Sequence, residues 1–598
     1  MKTTTSIGVS AGIMAVKGNG RRAKIATSTS VPPTNRMIDI NLAAHFTCLT
    51  IDLHHCLRLG APPTDFIASH PTSEPRIQYP MKRVAIIGGG ISGLTAAYEL
   101  ARLARDGVSV EAVLFEASSR CGGIIDTVRE GGFTVEGGPD GWVSAKPWAR
   151  ELAVELGLAD ELIPSNDATR KTWILLTTPD NPSGRLVPMP DGLHMMVPSN
   201  LDALDGSPLF TETAIAAYRA EPARAAELRA AMPPHDESVA EFTLRHFGPE
   251  VLDRVAAPLL SGVFGGDVRR LSVRAVMPAF VQMEREHGSL IAALQRTTDS
   301  EQRTTSVFTT LRTGLGTLVD RLVAAIPQQW LRTNTAVTAI QYSGAMADRT
   351  AWTVAARAGK QHSSETFDAV FLAMPLDATR QLLTPLSAAA AQLLPTESSS
   401  AVLVAFCYAD AGRVPLPPGF GFLVPPRFSE PEPALDPSAS LLLACTFVDQ
   451  KFAHRVPPNG RLIRAFFGGA AADRIARCNN DEIAAIARLE LARALNAGIP
   501  ISAAAPTPAP PPVLTVVRRW PNSLPQYTVG HPDRVAELEA HLRSTLPGLI
   551  LLGNALHGVG LPDLIRAARA AARSATASLT AGRPALPRAA ESSPGRRP

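Results

Sequence analysis

Two unbroken apolar runs, more than 450 residues apart, each end in a glycine-rich turn that opens a helix. The first is Val84, Ala85, Ile86 and Ile87, a pattern that predicts a strand buried on both faces. It runs into Gly88, Gly90 and Gly93, spelled GGGISG, and a helical pattern continues through Leu94, Ala97, Leu100 and Leu103. A second strand is predicted from Val108 to Phe115 and a short one from Phe133 to Val135. Farther on, Leu315, Leu318, Val319 and Leu322 mark a helix, Asn334 to Val337 leads into a strand pair, and Phe367 to Ala373 reads as a strand ending at Met374-Pro375. The second run, Leu549 to Leu552, ends in Gly553-Asn554. Gly558, Gly560 and Pro562 then precede the long Ala- and Arg-rich helix IRAARAAARSATASL. This organisation predicts a cofactor domain assembled from separated pieces, with other domains inserted between them.

The first turn carries chemistry because each glycine has a separate role. Gly88 permits the tight turn, Gly90 removes a side chain where a pyrophosphate approaches, and Gly93 lets the helix pack close to the sheet. Ile91 and Ser92 stand at the helix start, where free amides form an anion site. Glu116, followed by Ala117, ends the second strand 23 residues after Gly93, the placement of an acid that accepts from a ribose hydroxyl. Arg120, Gly122 and Gly123 could put a guanidinium and amides beside the pyrophosphate, or form a glycine-rich turn with an exposed arginine. Gly138 and Pro139 could set a loop against the cofactor ring. The glycines before the late helix could present amides to the ring or a phosphate, or simply cap the helix. Cys121 reads as a packing residue, and His287, His454 and His557 have no metal-ligand spacing.

Length sets the scale for the rest. At 598 residues, about 150 per domain gives roughly three to four domains. The 45% hydrophobic and 19% charged composition excludes wholesale disorder, and six cysteines exclude a disulfide scaffold. A formal charge of +4 gives no reason to invoke nucleic acid. No window of eighteen residues is continuously apolar, so no spanning helix is expected. Residues 1–80 read as a poorly ordered extension or a misassigned start, with Met81 directly before the first patterned strand; Lys17, Arg21, Arg22 and Lys24 could instead form a targeting or anionic-surface arm. Residues 579–598 read as a disordered tail, and the Pro-rich stretches 413–438 and 500–512 as surface loops.

GGGISGLTAAYEL followed by FEASSRCGG resembles the amine-oxidase and phytoene-desaturase flavoprotein superfamily. TVEGGPDGWVSAKP, PLLSGVFGGDVRRLS, FTTLRTGLGTLVDRL, CTFVDQKFAHRVP and GNALHGVGLPDLI narrow the resemblance, over 81–575, to the flavin-dependent protoporphyrinogen and coproporphyrinogen oxidases. The resemblance implies an α/β plus α+β fold: a discontinuous Rossmann-like domain binding noncovalent FAD (81–146, 285–378 and 535–578), a mixed-sheet substrate domain (147–200 and 379–534) and a helical insert (201–284) that could face a membrane. Carried over by motif, Val337 matches the position whose backbone contacts adenine, and Gly558, Val559, Gly560 and Leu561 match the segment beside the flavin ring. Relatives commonly hold a basic pair where Ala145-Lys146 stands, so one anion-binding side chain is missing here.

The activity implied first is oxygen-dependent, six-electron oxidation of protoporphyrinogen IX, a methylene-bridge hydride passing to flavin N5 with hydrogen peroxide formed. Coproporphyrinogen III oxidation is the alternative, followed by amine oxidation, polyene desaturation or a non-catalytic flavin-fold binder. No single catalytic side chain is expected, because flavin carries the chemistry. Lys146, Arg170, Lys171 and Arg464 are candidate partners for substrate carboxylates, and Phe422, Leu423 and Phe447 candidate walls for the macrocycle. The resemblance further implies a cytoplasmic enzyme, peripheral on the inner membrane face if attached. A homodimer and transfer of product to the next heme-pathway enzyme are its other candidate associations.

Overall fold

The structure, a computed structural model, describes residues 81–178, 181–298, 306–346, 349–426, 440–496 and 510–581. The expected extension at 1–80, most of the expected tail, and parts of both Pro-rich stretches lie outside these residues.

Five strands make one parallel sheet: β1 (Lys82–Ile87), β2 (Val110–Phe115), β3 (Leu331–Arg332), β4 (Ala369–Leu372) and β5 (Leu549–Leu551), in the spatial order β3-β2-β1-β4-β5. The strands come from three distant stretches of chain. Their alternation explains the layers. Val84 and Ile86 point to one face, which is covered by α1 (Ile91–Arg105) and α2 (Leu561–Ala581); Ala85 and Ile87 point to the other, covered by the meander 336–367 and helix His531–Thr545. Burying each large aliphatic here contributes about 1.5–3 kcal/mol. Helix α2 runs to Ala581, so the first residues of the expected tail, 579–581, are helical.

A second sheet has seven strands, in the order 514–525, 398–408, 461–468, 444–447, 421–423, 172–178 and 181–188; one pairing, 421–423 with 172–178, is parallel. The Pro-rich region expected as loop therefore contains a strand at its centre. Gly421 explains how: a Cβ there would collide with the Cys445 carbonyl, so glycine lets the short FGFLV segment enter the sheet between its flanking prolines. Helix Asn480–Asn496 covers one face of this sheet. The other meets hairpin 127–136 and a helical insert whose core contains Tyr218, Phe242, Phe247 and Leu260. Among the described residues, no helix is long and apolar enough to cross a membrane.

Candidate dinucleotide site

Because β1, β4 and β5 are parallel neighbours in register (Ile87 beside Leu372, Leu372 beside Leu551), Gly88 and Gly553 leave the same edge of the sheet. One strand separates them, or about 10 Å at the usual spacing. Ligands of open α/β sheets bind at such carboxyl edges.

The glycine turn behaves residue by residue. Gly88 has φ +109° and its Cβ would strike the backbone of Ala373; a Cβ at Gly93 would strike the Gly88 carbonyl. Gly90 is different. Its φ of −72° suits any residue, and a Cβ there would meet nothing within 4 Å. Open space above an unblocked helix start is what a pyrophosphate requires, so the turn fits a dinucleotide. Ile91 and Ser92 are buried directly behind it.

Glu116 is held at its strand end by Gly89 N to Oε2 at 2.7 Å and by Ser118 N and Oγ to Oε1 at 2.8 and 2.7 Å. Oε2 accepts only one of these bonds and so retains acceptor capacity for a ribose hydroxyl, whereas Oε1 is already doubly engaged. Ala117 is exposed beside it. Asn334 N donates to Ser118 O and Thr335 N to Glu116 O, which brings Val337 to the same end of the sheet as the acid. Gly122 N donates to Gly89 O at 2.8 Å, laying the second glycine turn against the first. Arg120 folds back on its own loop, donating to Ile125 O at 3.0 Å and Gly123 O at 2.7 Å. Cys121 is half-buried, and burial with the Glu116 charge raises its thiol pKa, as suits packing.

The late turn is equally ordered. Gly553 and Gly558 have φ of +111° and +133°. Asn554 Nδ2 donates to Ser523 O, and Val559, Gly560 and Leu561 lead into α2. Lys146 reaches this turn and pairs with Asp563 Oδ2 at 2.6 Å.

The other expected substrate residues do not converge. Arg170 is exposed, and its neighbour Lys171 is half-buried at the edge of strand Thr172–Thr178. Phe422 and Leu423 are adjacent in one strand, so they face opposite ways. Phe422 and Phe447 fill the core under helix 480–496, whereas Leu423 packs toward the helical insert. Register puts Thr446 beside Arg464 and Ala444 beside Phe466 on the face away from helix 480–496. Arg464 is buried there and donates to Gly138 O while facing Asp140 at 3.3 Å.

That contact belongs to a buried network absent from the sequence-based expectations. Lys451 Nζ bridges both Asp140 oxygens at 3.1 and 3.2 Å, and Arg455 donates to Glu136 at 2.8 Å and Thr310 at 2.7 Å. Burial raises the Asp140 carboxyl pKa, but Lys451 and Arg464 outweigh it and bring it down to about 2. The network fixes the Gly138-Pro139 loop between the two sheets. Only the two acids that flank the turn in EGGPD, Glu136 and Asp140, hinted at it, since their partners Arg455 and Lys451 lie more than 300 residues away. Tyr527 and His531 were missed as well; they buttress the late turn from behind, and an aromatic and a histidine four residues apart was their one signal. Among the described residues no cluster could hold a metal ion.

Known proteins share this arrangement. The profile of the "Flavin containing amine oxidoreductase" family matches residues 91–576. The coproporphyrinogen III oxidase of Bacillus subtilis (strain 168) is 32% identical over 499 residues, 82% of this chain and 97% of the relative; a chloroplastic/mitochondrial protoporphyrinogen oxidase 2 of Arabidopsis thaliana is 24% identical, over 80% and 91%. A crystal structure from Exiguobacterium sp. 255-15, assigned to the protoporphyrinogen oxidases, aligns with TM-score 0.67 and 28% identity over 83% of this chain and 99% of that one. Profile, relatives and the paired glycine turns agree: the chain belongs to the flavin-containing amine oxidoreductase family, and its named relatives include coproporphyrinogen and protoporphyrinogen oxidases.

Proposed function

We propose that this protein is an FAD-dependent oxidase converting coproporphyrinogen III to coproporphyrin III, with three molecules of oxygen reduced to three of hydrogen peroxide. One observation carries the choice of substrate. The 32% identity to the Bacillus subtilis enzyme extends over nearly the whole of that enzyme, and coproporphyrinogen III oxidases of other bacteria match over similar lengths. This reverses the order expected from motifs alone, which put protoporphyrinogen IX first.

In this reading Gly88, Gly90 and Gly93 cradle the pyrophosphate, Glu116 takes the adenosine ribose, and Val337 offers backbone to adenine. Gly122 and Gly123 back the phosphate turn, with Arg120 shaping it. Gly138, Pro139, Gly553, Asn554 and Gly558 to Leu561 surround the ring. Bound flavin supplies a two-electron acceptor for each of three successive oxidations. The protein's own work is to hold the macrocycle against that acceptor and keep its edge charges compensated. Leu423, Ala444, Thr446 and Phe466 offer a largely apolar face, and Lys146 a cation that leaves Asp563 to meet a substrate carboxylate.

The test is anaerobic mixing of purified holoprotein with each porphyrinogen while flavin absorbance is followed. Faster flavin reduction by coproporphyrinogen III supports the proposal. Faster reduction by protoporphyrinogen IX moves the assignment to that substrate, and reduction only by an amine or a polyene overturns it.

A further inference from the structure

Segment 526–530 is bonded on one side to the helical insert and on the other to the late glycine turn. Toward the insert, Gln526 Nε2 donates to Phe264 O at 2.9 Å, Ser272 N to Tyr527 O at 2.7 Å, Val529 N to Arg270 O at 3.0 Å and Gly530 N to Asp236 Oδ2 at 2.7 Å. A Cβ at Gly266 would overlap the Gln526 side chain, so the Gly265-Gly266-Asp267 turn serves this junction. Toward the late turn, the Tyr527 hydroxyl donates to Asn554 O at 2.6 Å and accepts from Gly558 N at 3.0 Å. The ring of His531 stacks on that of Tyr527, centroids 4.1 Å apart and 11° from parallel, and its Nε2 lies 2.8 Å from Leu556 O. Burial lowers the His531 pKa, so the neutral ring donates from Nε2 to that carbonyl. Both side chains are buried.

We propose that Tyr527, braced by His531, is a positioning residue that sets the backbone of the 553–560 turn beside the flavin ring and ties that setting to the helical insert. The physical reason is that Gly553 and Gly558 both occupy positive-φ conformations open to glycine but not enforced by it. A turn so permissive has many alternatives, and three hydrogen bonds from two packed rings select one. Amides at the start of α2 lack intrahelical acceptors, so their direction decides what the ring meets. The inference rests on the proposed function for the identity of the ring. The latch itself rests on the contacts above.

The test compares wild type with Tyr527→Phe, which keeps the stacked ring and deletes the hydroxyl, and His531→Gln, which keeps a donor, against His531→Ala. In the full chain as purified, deuterium exchange of peptide 553–560 should rise about tenfold in Tyr527→Phe while α1 and the parallel sheet stay protected. In holoprotein the flavin absorption maximum and midpoint potential should shift, and kcat should fall about tenfold at unchanged KM. His531→Gln should lie closer to wild type than His531→Ala in each readout. Wild-type exchange and an unchanged flavin spectrum in Tyr527→Phe overturn the inference and leave the proposed function standing. Wild-type protein that takes up no FAD overturns the proposed function, and the exchange comparison then still decides whether the latch exists.

Discussion

The Nε of Arg569, on α2, meets Oε2 of Glu99, on α1, at 3.1 Å across 470 residues of sequence. Glu99 has no solvent exposure and also receives Arg573 at 2.7 Å and Arg102 at 2.8 Å. The two helices that begin at the two glycine turns are thus clamped by one carboxylate. Burial pushes the Glu99 pKa up, yet the three guanidiniums bring it down to about 2. A depressed carboxylate pKa stabilises the fold above the ordinary value of 4.5 and loses that contribution as pH falls toward 2. The gap corresponds to about 3 kcal/mol. Glu99→Gln should therefore lower the urea midpoint at pH 7 and lose less than wild type between pH 5 and 3. Parallel midpoints for the two proteins across that range would refute this.

Gly90 and Gly93 separate binding from folding. Gly90→Val places its side chain in the open cradle, at a backbone conformation valine adopts without strain. It should leave thermal stability within about 1 kcal/mol of wild type while abolishing FAD uptake. Gly93→Val drives a side chain into the Gly88 carbonyl and should lose about 3 kcal/mol, with FAD unable to restore the native midpoint. Calorimetry with and without added FAD reads both effects.

The strand, glycine turn, helix and terminal acid were legible because each role is local: a positive φ at Gly88 or an acid at a strand end follows from a few consecutive residues. The late turn was legible for the same reason. What stayed hidden depends on register or on distant partners. Phe422 and Leu423 look alike as apolar residues, and only strand pairing shows that one enters the core and the other faces the insert. Lys146 and Arg464 read as candidate partners for substrate carboxylates, and only the fold brings Asp563 and Asp140 to them from elsewhere in the chain. Arg120 reads from sequence either as a guanidinium beside a pyrophosphate or as the exposed arginine of a glycine-rich turn, and its bonds to the Gly123 and Ile125 carbonyls depend on the path of the loop.

His246 in the helical insert lies between Glu221 at 3.0 Å and Glu284 at 3.1 Å, all three buried. Burial opposes its charge, but the two carboxylates prevail and raise its pKa above the ordinary 6.5. A raised histidine pKa gives stability that is complete below 6.5 and disappears as pH climbs through the folded-state value. Between pH 6 and 9 the insert should become easier to open, while His246→Gln flattens that dependence. Limited proteolysis within 221–291 at several pH values measures it, and equal pH dependence in the two proteins would count against the imidazolium.

Asp140 serves two buried cations at once, which makes it less replaceable than either. Asp140→Asn leaves Lys451 without its carboxylate partner and Arg464 with only the field of Glu136, and breaking a buried pair from the side of its shared partner typically costs about 3–5 kcal/mol. Lys451→Met removes one cation but leaves Arg464 on Asp140, and methionine can pack against Phe308 and Phe452, which the ammonium now faces at 4.3 and 5.1 Å. Its cost should be smaller. The double variant should then be less damaged than the sum of the singles, because removing Lys451 relieves part of the uncompensated charge that Asp140→Asn creates. Denaturant midpoints for the four proteins of this cycle decide the matter. Strict additivity would mean that the acid and the lysine act independently, and the loop carrying Gly138 and Pro139 would then need another explanation for its fixed place beside the glycine turns.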